Sequence, residues 1–333
     1  MAIQTLYPKL VLLGAALLVL FTMAAYATYF ERRISAWIQN RIGPNRVGPY
    51  GLLQPLADVL KLLLKEDIAP STANRWLHRL APMISVAASL ALIGVLPFAH
   101  NLIVADVHIG ILYILAITSL NVYGITLSGW ASNSKYSLLG GLRSSAQLIS
   151  YEIPMGLAVL SVIIQTGSLM TTQIVAAQEE LWNVLRNPLG FLIFLITAFA
   201  ETNRLPFDLP EAEQELVGGY HTEYSSMKFG MFYVAEYMNM ILSSAVIVTL
   251  FFGGYLVPFG HLFMSDLPVW AQTALELLAF LLKTSFFVFV YIWVRWTIPR
   301  FKYTQLMRLS WVYLFPLSVL NLVLVSLGAM LLG

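Results

Sequence analysis

The chain has 333 residues, of which 59% are hydrophobic and only 11% charged, with a formal net charge of +2. Soluble domains are nearer half apolar and a quarter charged, and here the apolar residues come in blocks. That pattern excludes an ordinary soluble enzyme, a disordered chain and a nucleic-acid module. Cysteine is absent, so no thiolate is available for an iron–sulfur cluster, a disulfide or nucleophilic chemistry. The histidines (His78, His100, His108, His221 and His261) lack the paired spacing of a metal site, and the glycines form neither a dinucleotide nor a P-loop fingerprint. The expectation is an all-α polytopic membrane protein, a single membrane domain over 1–333, with no metal and no redox centre of its own.

A bilayer core needs about 20 apolar residues per helix. About eight stretches meet or approach that length: Leu6–Phe30, Leu80–Ala99, Gly110–Trp130, Ala146–Thr166, Leu189–Ala200, Phe229–Gly254, Ala271–Trp296 and Ser310–Leu332. The fifth is short, and spans only if it begins near Asn183 or continues past Glu201. The first has no clear small-residue cleavage site after it and reads as a retained span. Basic residues then set the orientation. Arg32, Arg33, Arg41, Arg46, Lys61, Lys65, Arg75 and Arg79 follow the first span. Lys135 and Arg143 follow the third, Arg204 and Lys228 the fifth, and Arg295, Arg300, Lys302 and Arg308 flank the end of the seventh. The other loops hold only Lys9 and Arg186. The positive-inside rule places both termini outside and the large loops in the cytoplasm.

Residues 31–79 are too polar to span. Ile42 to Gly51 reads IGPNRVGPYG, turn-rich backbone with φ restricted at each proline. In the segment that follows, Leu52, Leu56, Val59, Leu60 and Leu63 fall on one helical face and Asp58, Lys61 and Lys65 on the other. This is an amphipathic helix at the membrane interface. It either anchors the loop or lines a portal for a lipid-soluble ligand; the pattern permits both.

Ionisable groups inside spans cost several kcal/mol unless paired or solvated, so each is a functional candidate. Glu152 lies in the fourth span beside Pro154, which removes a backbone donor and is expected to open the helix there. Glu201 ends the fifth span and either snorkels to water or takes part in a site. Glu236 lies about two turns into the sixth. Glu276 and Lys283 share a face of the seventh, roughly 10 Å apart along the axis; Glu276 reads as interfacial. A buried carboxylate titrates nearer neutral pH, more so beside another carboxylate.

The acids are densest at 201–228. Asp208 three residues before Glu211 has the form of a capping box, with Pro210 at the first helical position. Glu213 suits the first turn, and Gly218 and Gly219 can end the helix. Glu215 is not explained this way, because it repels Glu211 one turn away. The stretch is either a solvated face or the mouth of a proton or cation route. Two classes survive: an ion-coupled secondary transporter, for which no internal repeat is visible, or a redox-linked membrane protein that borrows electrons from partners.

Several blocks favour the second: Glu31-Arg32-Arg33, the run Gln39 to Asp58 (QNRIGPNRVGPYGLLQPLAD), Gly129 to Tyr136 (GWASNSKY), Ser150-Tyr151-Glu152, Glu201 to Leu216 (ETNRLPFDLPEAEQEL) and Arg300 to Met307 (RFKYTQLM). They resemble the H-subunit family of the bacterial proton-pumping NADH:quinone oxidoreductase, respiratory complex I, whose mitochondrial equivalent is subunit 1. The resemblance implies the heel of the membrane arm in the bacterial inner membrane, docked to peripheral quinone-module subunits and small membrane-arm subunits. It implies no cofactor bound by this chain beyond the quinone substrate; flavin mononucleotide and iron–sulfur clusters belong to partners. Arg32, Arg41, Asp58, Lys61 and Arg295 match quinone-tunnel positions. Glu152, Glu201, Asp208, Glu211, Glu213, Glu215 and Glu236 match an acidic funnel that couples quinone reduction to proton translocation. Within the wider superfamily, membrane-bound hydrogenases carry a related heel subunit. A lone cation/proton antiporter is the alternative from another class.

Overall fold

The computed structural model describes residues 2–208, 218–258, 260, 264 and 267–332, and all its regular structure is helical. The helices are α1 (Ala2–Ile38), α2 (Gln54–Leu64), α3 (Arg75–Leu92), α4 (Gly110–Ala131), α5 (Lys135–Thr166), α6 (Thr171–Ala176), α7 (Asn183–Arg186), α8 (Pro188–Glu201), α9 (Ser226–Phe251), α10 (Val269–Thr297), α11 (Tyr303–Arg308) and α12 (Phe315–Leu332). A π-helical segment, Leu309–Leu314, joins α11 to α12.

Seven helices among the described residues are long and apolar enough to cross a membrane, and the chain is a multi-pass membrane protein. The expected fifth span is the exception. Asn187 breaks the helix between α7 and α8, and α8 has 14 residues. That is about 21 Å of helix against about 30 Å of hydrocarbon. Other helices outrun their apolar stretches. The first carries Glu31, Arg32 and Arg33 in regular helix, and the fourth span begins at Lys135.

Helix α9 is the hub, buried along most of its length and packed on α1, α3, α8 and α10. Around it α3 packs on α4, α4 on α5, and α5 on α8 and α12. Small residues permit this closeness, as is usual between membrane helices. A Cβ on Gly124 would stand 2.3 Å from Ser85 Oγ, and one on Gly129 2.6 Å from the Ser137 carbonyl.

Pro154 does not open α5, which runs unbroken to Thr166. A proline at this position removes the N–H that would bond to the Ser150 carbonyl. That carbonyl accepts instead from Ser310 Oγ at 2.6 Å, so the lost donor becomes a tie to the π segment.

The end of α9 answers the question of Lys283. A helix C-terminus leaves carbonyls without intrahelical partners, and here side chains supply donors. Gln178 Nε2 donates to Thr249 O (3.0 Å) and Asn183 Nδ2 to Leu250 O (2.8 Å). Lys283 Nζ donates to Phe252 O (2.8 Å), Gly254 O (3.0 Å) and Leu256 O (2.7 Å). Glu276 instead accepts from the His100 N–H at 2.8 Å. The two charges that share a face of α10 thus serve different neighbours.

Helix α2 turns its expected apolar stripe outward: Leu56, Val59, Leu60 and Leu63 are all exposed. Its far end is clasped to the start of α9. Ser226 Oγ donates to Leu62 O (3.0 Å), the Ile68 N–H donates to Ser225 Oγ (2.8 Å), and Lys228 pairs with Asp67 (2.8 Å).

Candidate functional site

The expected tunnel residues divide into a surface pair, a half-buried cation and two exposed side chains. Arg32 Nη1 meets Asp58 Oδ2 at 2.7 Å, tying α1 to α2, and Gln54 Nε2 donates to the other Asp58 oxygen at 3.0 Å. Arg41 and Lys61 are exposed. Arg295, near the end of α10, lies deeper. Its Nη1 is 2.7 Å from Glu31 Oε1 and 3.9 Å from Glu236 Oε1.

That pair opens onto a four-charge network. Arg204 is fully buried, with Nη1 2.9 Å from Glu31 Oε2 and Nε 2.9 Å from Glu236 Oε1. Its guanidinium lies 4.4 Å from the Tyr237 ring centroid. Two carboxylates and two guanidiniums balance, which is how buried charge is tolerated. Burial alone would lower the Arg204 pKa; the carboxylates of Glu31 and Glu236 outweigh it and hold the pKa above the ordinary arginine value. Glu31 and Arg204 stand 173 positions apart and were not among the expected site residues. One signal was available: Glu31 and Arg204 both lie in blocks that carry the family resemblance, Glu31-Arg32-Arg33 and Glu201 to Leu216.

The chain therefore brings together residues expected in two different routes. Glu31 and Arg32 are neighbours on α1: one enters the buried network with Glu236, the other reaches Asp58 at the surface. Between α1 and α10 lies a lateral cleft of about 430 Å³, lined mainly by apolar side chains such as Met23, Phe30, Val288 and Ile292. Arg33 and Tyr29 hold the glycine–proline loop beside it: Tyr29 OH donates to Tyr50 O at 2.8 Å, and Arg33 Nη1 donates to the same carbonyl at 3.3 Å. Within this loop Tyr50 has φ 54° and Gly51 φ 80°, and a Cβ on Gly51 would lie 2.4 Å from Pro44 O. Only glycine fits there.

The acids form a second line. Asp208 is buried; its Oδ2 lies 3.4 Å from Arg300 Nη2, which also donates to the Asp208 carbonyl. A cavity of about 20 Å³ lies among Asp208, Glu236, Ser85, Asn121, Asn203 and Asn239. A second cavity, of about 50 Å³, shares Asn121, Thr202 and Asn239 with the first and reaches Glu201. Each has room for water and polar groups to hold it. Glu201 is 9% exposed, and Glu152 is near enough for the two carboxylates to repel. Glu201 Oε2 and Glu152 Oε1 have no hydrogen-bond partner among the described residues. Glu211, Glu213 and Glu215, with the expected capping box, lie outside the described residues.

The segment around these acids is pinned on both sides. Gln147 Nε2 donates to Ala200 O (2.9 Å) and Phe207 O (2.7 Å). After the acidic stretch, Gly219 (φ 62°) lies against α5, where a Cβ on Gly140 would stand 2.7 Å from its Cα. His221 follows, buried between Tyr220, Phe229 and Tyr233. Burial lowers its pKa to about 4, so it is neutral at physiological pH.

A family model described as NADH dehydrogenase matches residues 11–326. NADH-quinone oxidoreductase subunit 8 of Rhodothermus marinus is 61% identical over 314 residues, covering 92% of each chain. The chain belongs to this family. The NADH-quinone oxidoreductase H subunit of Salinibacter ruber is 55% identical over 332 residues, 96% of each chain. Its counterpart in a Rickettsia bellii strain is 51% identical over 310 residues, 92% of this chain and 89% of that one. The match runs from within the first long apolar helix to within the last, so Glu31, the acidic stretch and α10 all fall inside it.

Proposed function

We propose that the chain is the membrane-arm heel subunit of a proton-pumping NADH:quinone oxidoreductase. In this reading it lines part of the quinone route and passes the consequence of quinone reduction into a line of acids. The observation that carries the proposal is the Glu31–Arg204–Glu236–Arg295 network, which joins a residue of the expected tunnel to one of the expected funnel. The exposed stripe of α2 and the cleft between α1 and α10 support entry of quinone from the bilayer. Arg32, Asp58, Arg41 and Lys61 then lie toward the polar side, where a headgroup meets the peripheral arm.

The chain has no cysteine to ligate an iron–sulfur cluster, so electrons arrive through flavin and clusters on partner subunits. Reduction of the quinone consumes protons and alters the local charge. Glu236 feels that change through Arg295 and Arg204. The two cavities share Asn121, Thr202 and Asn239 and give waters a place between Glu236 and Glu201, and Glu152 lies close enough to Glu201 for its charge to be felt there. Glu211, Glu213 and Glu215 belong to the same proposed funnel by sequence. The proposed setting is one membrane domain in the bacterial inner membrane; both termini are periplasmic in this reading, with the α7–α8 segment as the eighth crossing.

The test is a mild-detergent purification of the tagged chain, followed by an inhibitor-sensitive NADH:quinone assay on what co-purifies. A large flavin-bearing assembly with that activity is expected. An assembly that evolves hydrogen and ignores NADH would move the chain to the hydrogenase branch. Ion transport by the chain alone in liposomes would make it an antiporter. Within an active assembly, Glu152→Gln is expected to depress proton pumping with assembly intact.

A further inference from the structure

Glu236 and Glu201 border different cavities. The smaller, of about 20 Å³, reaches Glu236, and the larger, of about 50 Å³, reaches Glu201. By volume the first holds about one water and the second roughly three. Neither admits anything much larger. The residues common to both linings are Asn121, Thr202 and Asn239, all polar, although most of the larger cavity's wall is apolar.

The hydroxyls of the larger cavity are already committed. Thr118 Oγ1 donates to Leu115 O (2.9 Å), Thr202 Oγ1 donates to Phe199 O (3.0 Å), and Ser243 Oγ shares a hydrogen bond with Tyr291 OH (2.9 Å). The two asparagines are not. Asn239 follows Glu236 by three positions on α9 and so lies on the same helix face. Ser89 Oγ donates to Asn239 Oδ1 at 2.7 Å, which fixes that amide and leaves its Nδ2 uncommitted among the described residues. Asn121, on α4, is only 9% exposed, and its amide makes no hydrogen bond among the described residues. Unlike Glu201 Oε2, these uncommitted amide atoms are not sealed from the cavities they line. A buried water is kept by two to four polar partners, and the asparagines offer them where the two cavities meet.

We propose that Asn121 and Asn239 are positioning residues for proton transfer to Glu201, their amides holding a water at the junction of the two cavities. The inference rests on the proposed function, in which the acids take up protons in answer to quinone reduction. Because Asn239 presents a donor, the junction suits water rather than a metal cation. An amide neither gains nor loses a proton near neutral pH, so the asparagines carry none themselves. The proton enters the waters beside Asp208 and Glu236. The held water accepts it on one side and gives one of its own on the other, and the last water delivers one to Glu201 Oε1. Each water ends neutral, and the carboxylate becomes a carboxylic acid. Without the held water, the apolar wall of the larger cavity interrupts the path.

The assembled complex is reconstituted in vesicles, and NADH-driven proton pumping is measured in H2O and in D2O. Asn121→Leu breaks no hydrogen bond to the described residues, so it is expected to assemble normally. Coupled turnover should slow about tenfold, less than the usual loss for a proton-transfer group itself. The solvent isotope effect should rise, because proton delivery becomes the slow step. Asn239→Leu should do the same, since Ser89 Oγ keeps the Ser85 carbonyl as an acceptor at 3.0 Å. Asn121→Ser, which retains a hydroxyl and leaves space for another water, should recover most of the rate. A merely structural role would lower assembly and melting temperature and leave the isotope effect unmoved. Wild-type rates in both leucine variants, or slow turnover with an unchanged isotope effect, would overturn the inference alone if Glu201→Gln is impaired. Full pumping by Glu201→Gln would overturn the acid route itself, and this inference with it.

Discussion

Two groups of buried charge lie on neighbouring parts of this molecule. Around Arg204, every carboxylate has a guanidinium within 3 Å, and the set is neutral. At Glu201 and Glu152, two acids lie near each other and each keeps an oxygen with no hydrogen-bond partner among the described residues. The first arrangement resists any change of protonation, because removing one charge strands the others. The second is costly when both acids are ionised, so its protonation answers small changes in its surroundings. In the proposed function the relay carries the electrostatic change of quinone reduction, and the neighbouring acids answer it by taking up or releasing protons.

Breaking the relay should have the largest effect. Arg204→Leu leaves Glu31 and Glu236 with one guanidinium of the network, that of Arg295, in place of two, at about 3–5 kcal/mol. That is a large fraction of the ~5–15 kcal/mol by which domains are stable. The expected outcome is loss of the assembled complex from membranes, read on native gels. Removing Arg204 and Glu236 charges together, as Arg204→Leu with Glu236→Leu, should restore part of the assembly without restoring activity. A double variant no better assembled than the single one would mean that the network is not what Arg204 is for.

Glu201 and Glu152 should behave in the opposite way. Glu201→Gln removes no hydrogen bond from Oε2 and relieves repulsion with Glu152, so assembly and melting temperature should hold or rise slightly. Coupled proton transfer should fall by about 10²-fold, the usual scale for losing a proton-transfer group. Retained pumping in reconstituted vesicles would show that the proton path bypasses Glu201.

Lys283 sharpens the contrast, being a half-buried charge with neither role. It satisfies three carbonyls in the turn that follows α9. Lys283→Met should cost about 1–3 kcal/mol, seen as faster amide exchange around Phe252–Leu256, with the ratio of protons pumped to NADH oxidised unchanged. A changed ratio would place Lys283 in the coupling path.

The sequence made the helices legible because apolar blocks of span length have few alternative structures. It also flagged Glu236, since charge in such blocks stands out, while Arg295 was flagged only by the family resemblance. The partners of those charges were not legible. Glu31 and Arg204 meet across 173 positions, and nothing local distinguishes Arg204 from the other residues of a polar loop. Lys283 was equally opaque, because backbone carbonyls carry no residue signature. The proline at 154 misled for a related reason: whether a missing N–H opens a helix depends on whether another donor, here Ser310, reaches the freed carbonyl.

The smallest effect concerns His221, which lies between the acidic stretch and α9. Its neighbours are the rings of Tyr220, Phe229 and Tyr233, and burial lowers its pKa from 6.5 to about 4. Between those values the unfolded segment binds a proton that the folded one refuses, so folding here is favoured above the upper value and weakens as pH falls toward the lower. Amide exchange of residues 218–224 in the assembled complex, corrected for the intrinsic rate, should therefore quicken between about pH 7 and about pH 5. His221→Phe, which keeps a ring among rings and removes the proton site, should flatten that dependence and leave exchange in α3 and α4 unchanged. If the slope survives the substitution, the loop answers pH through its carboxylates, and the line of titrating groups extends beyond Glu201 and Glu152 to the acids around it.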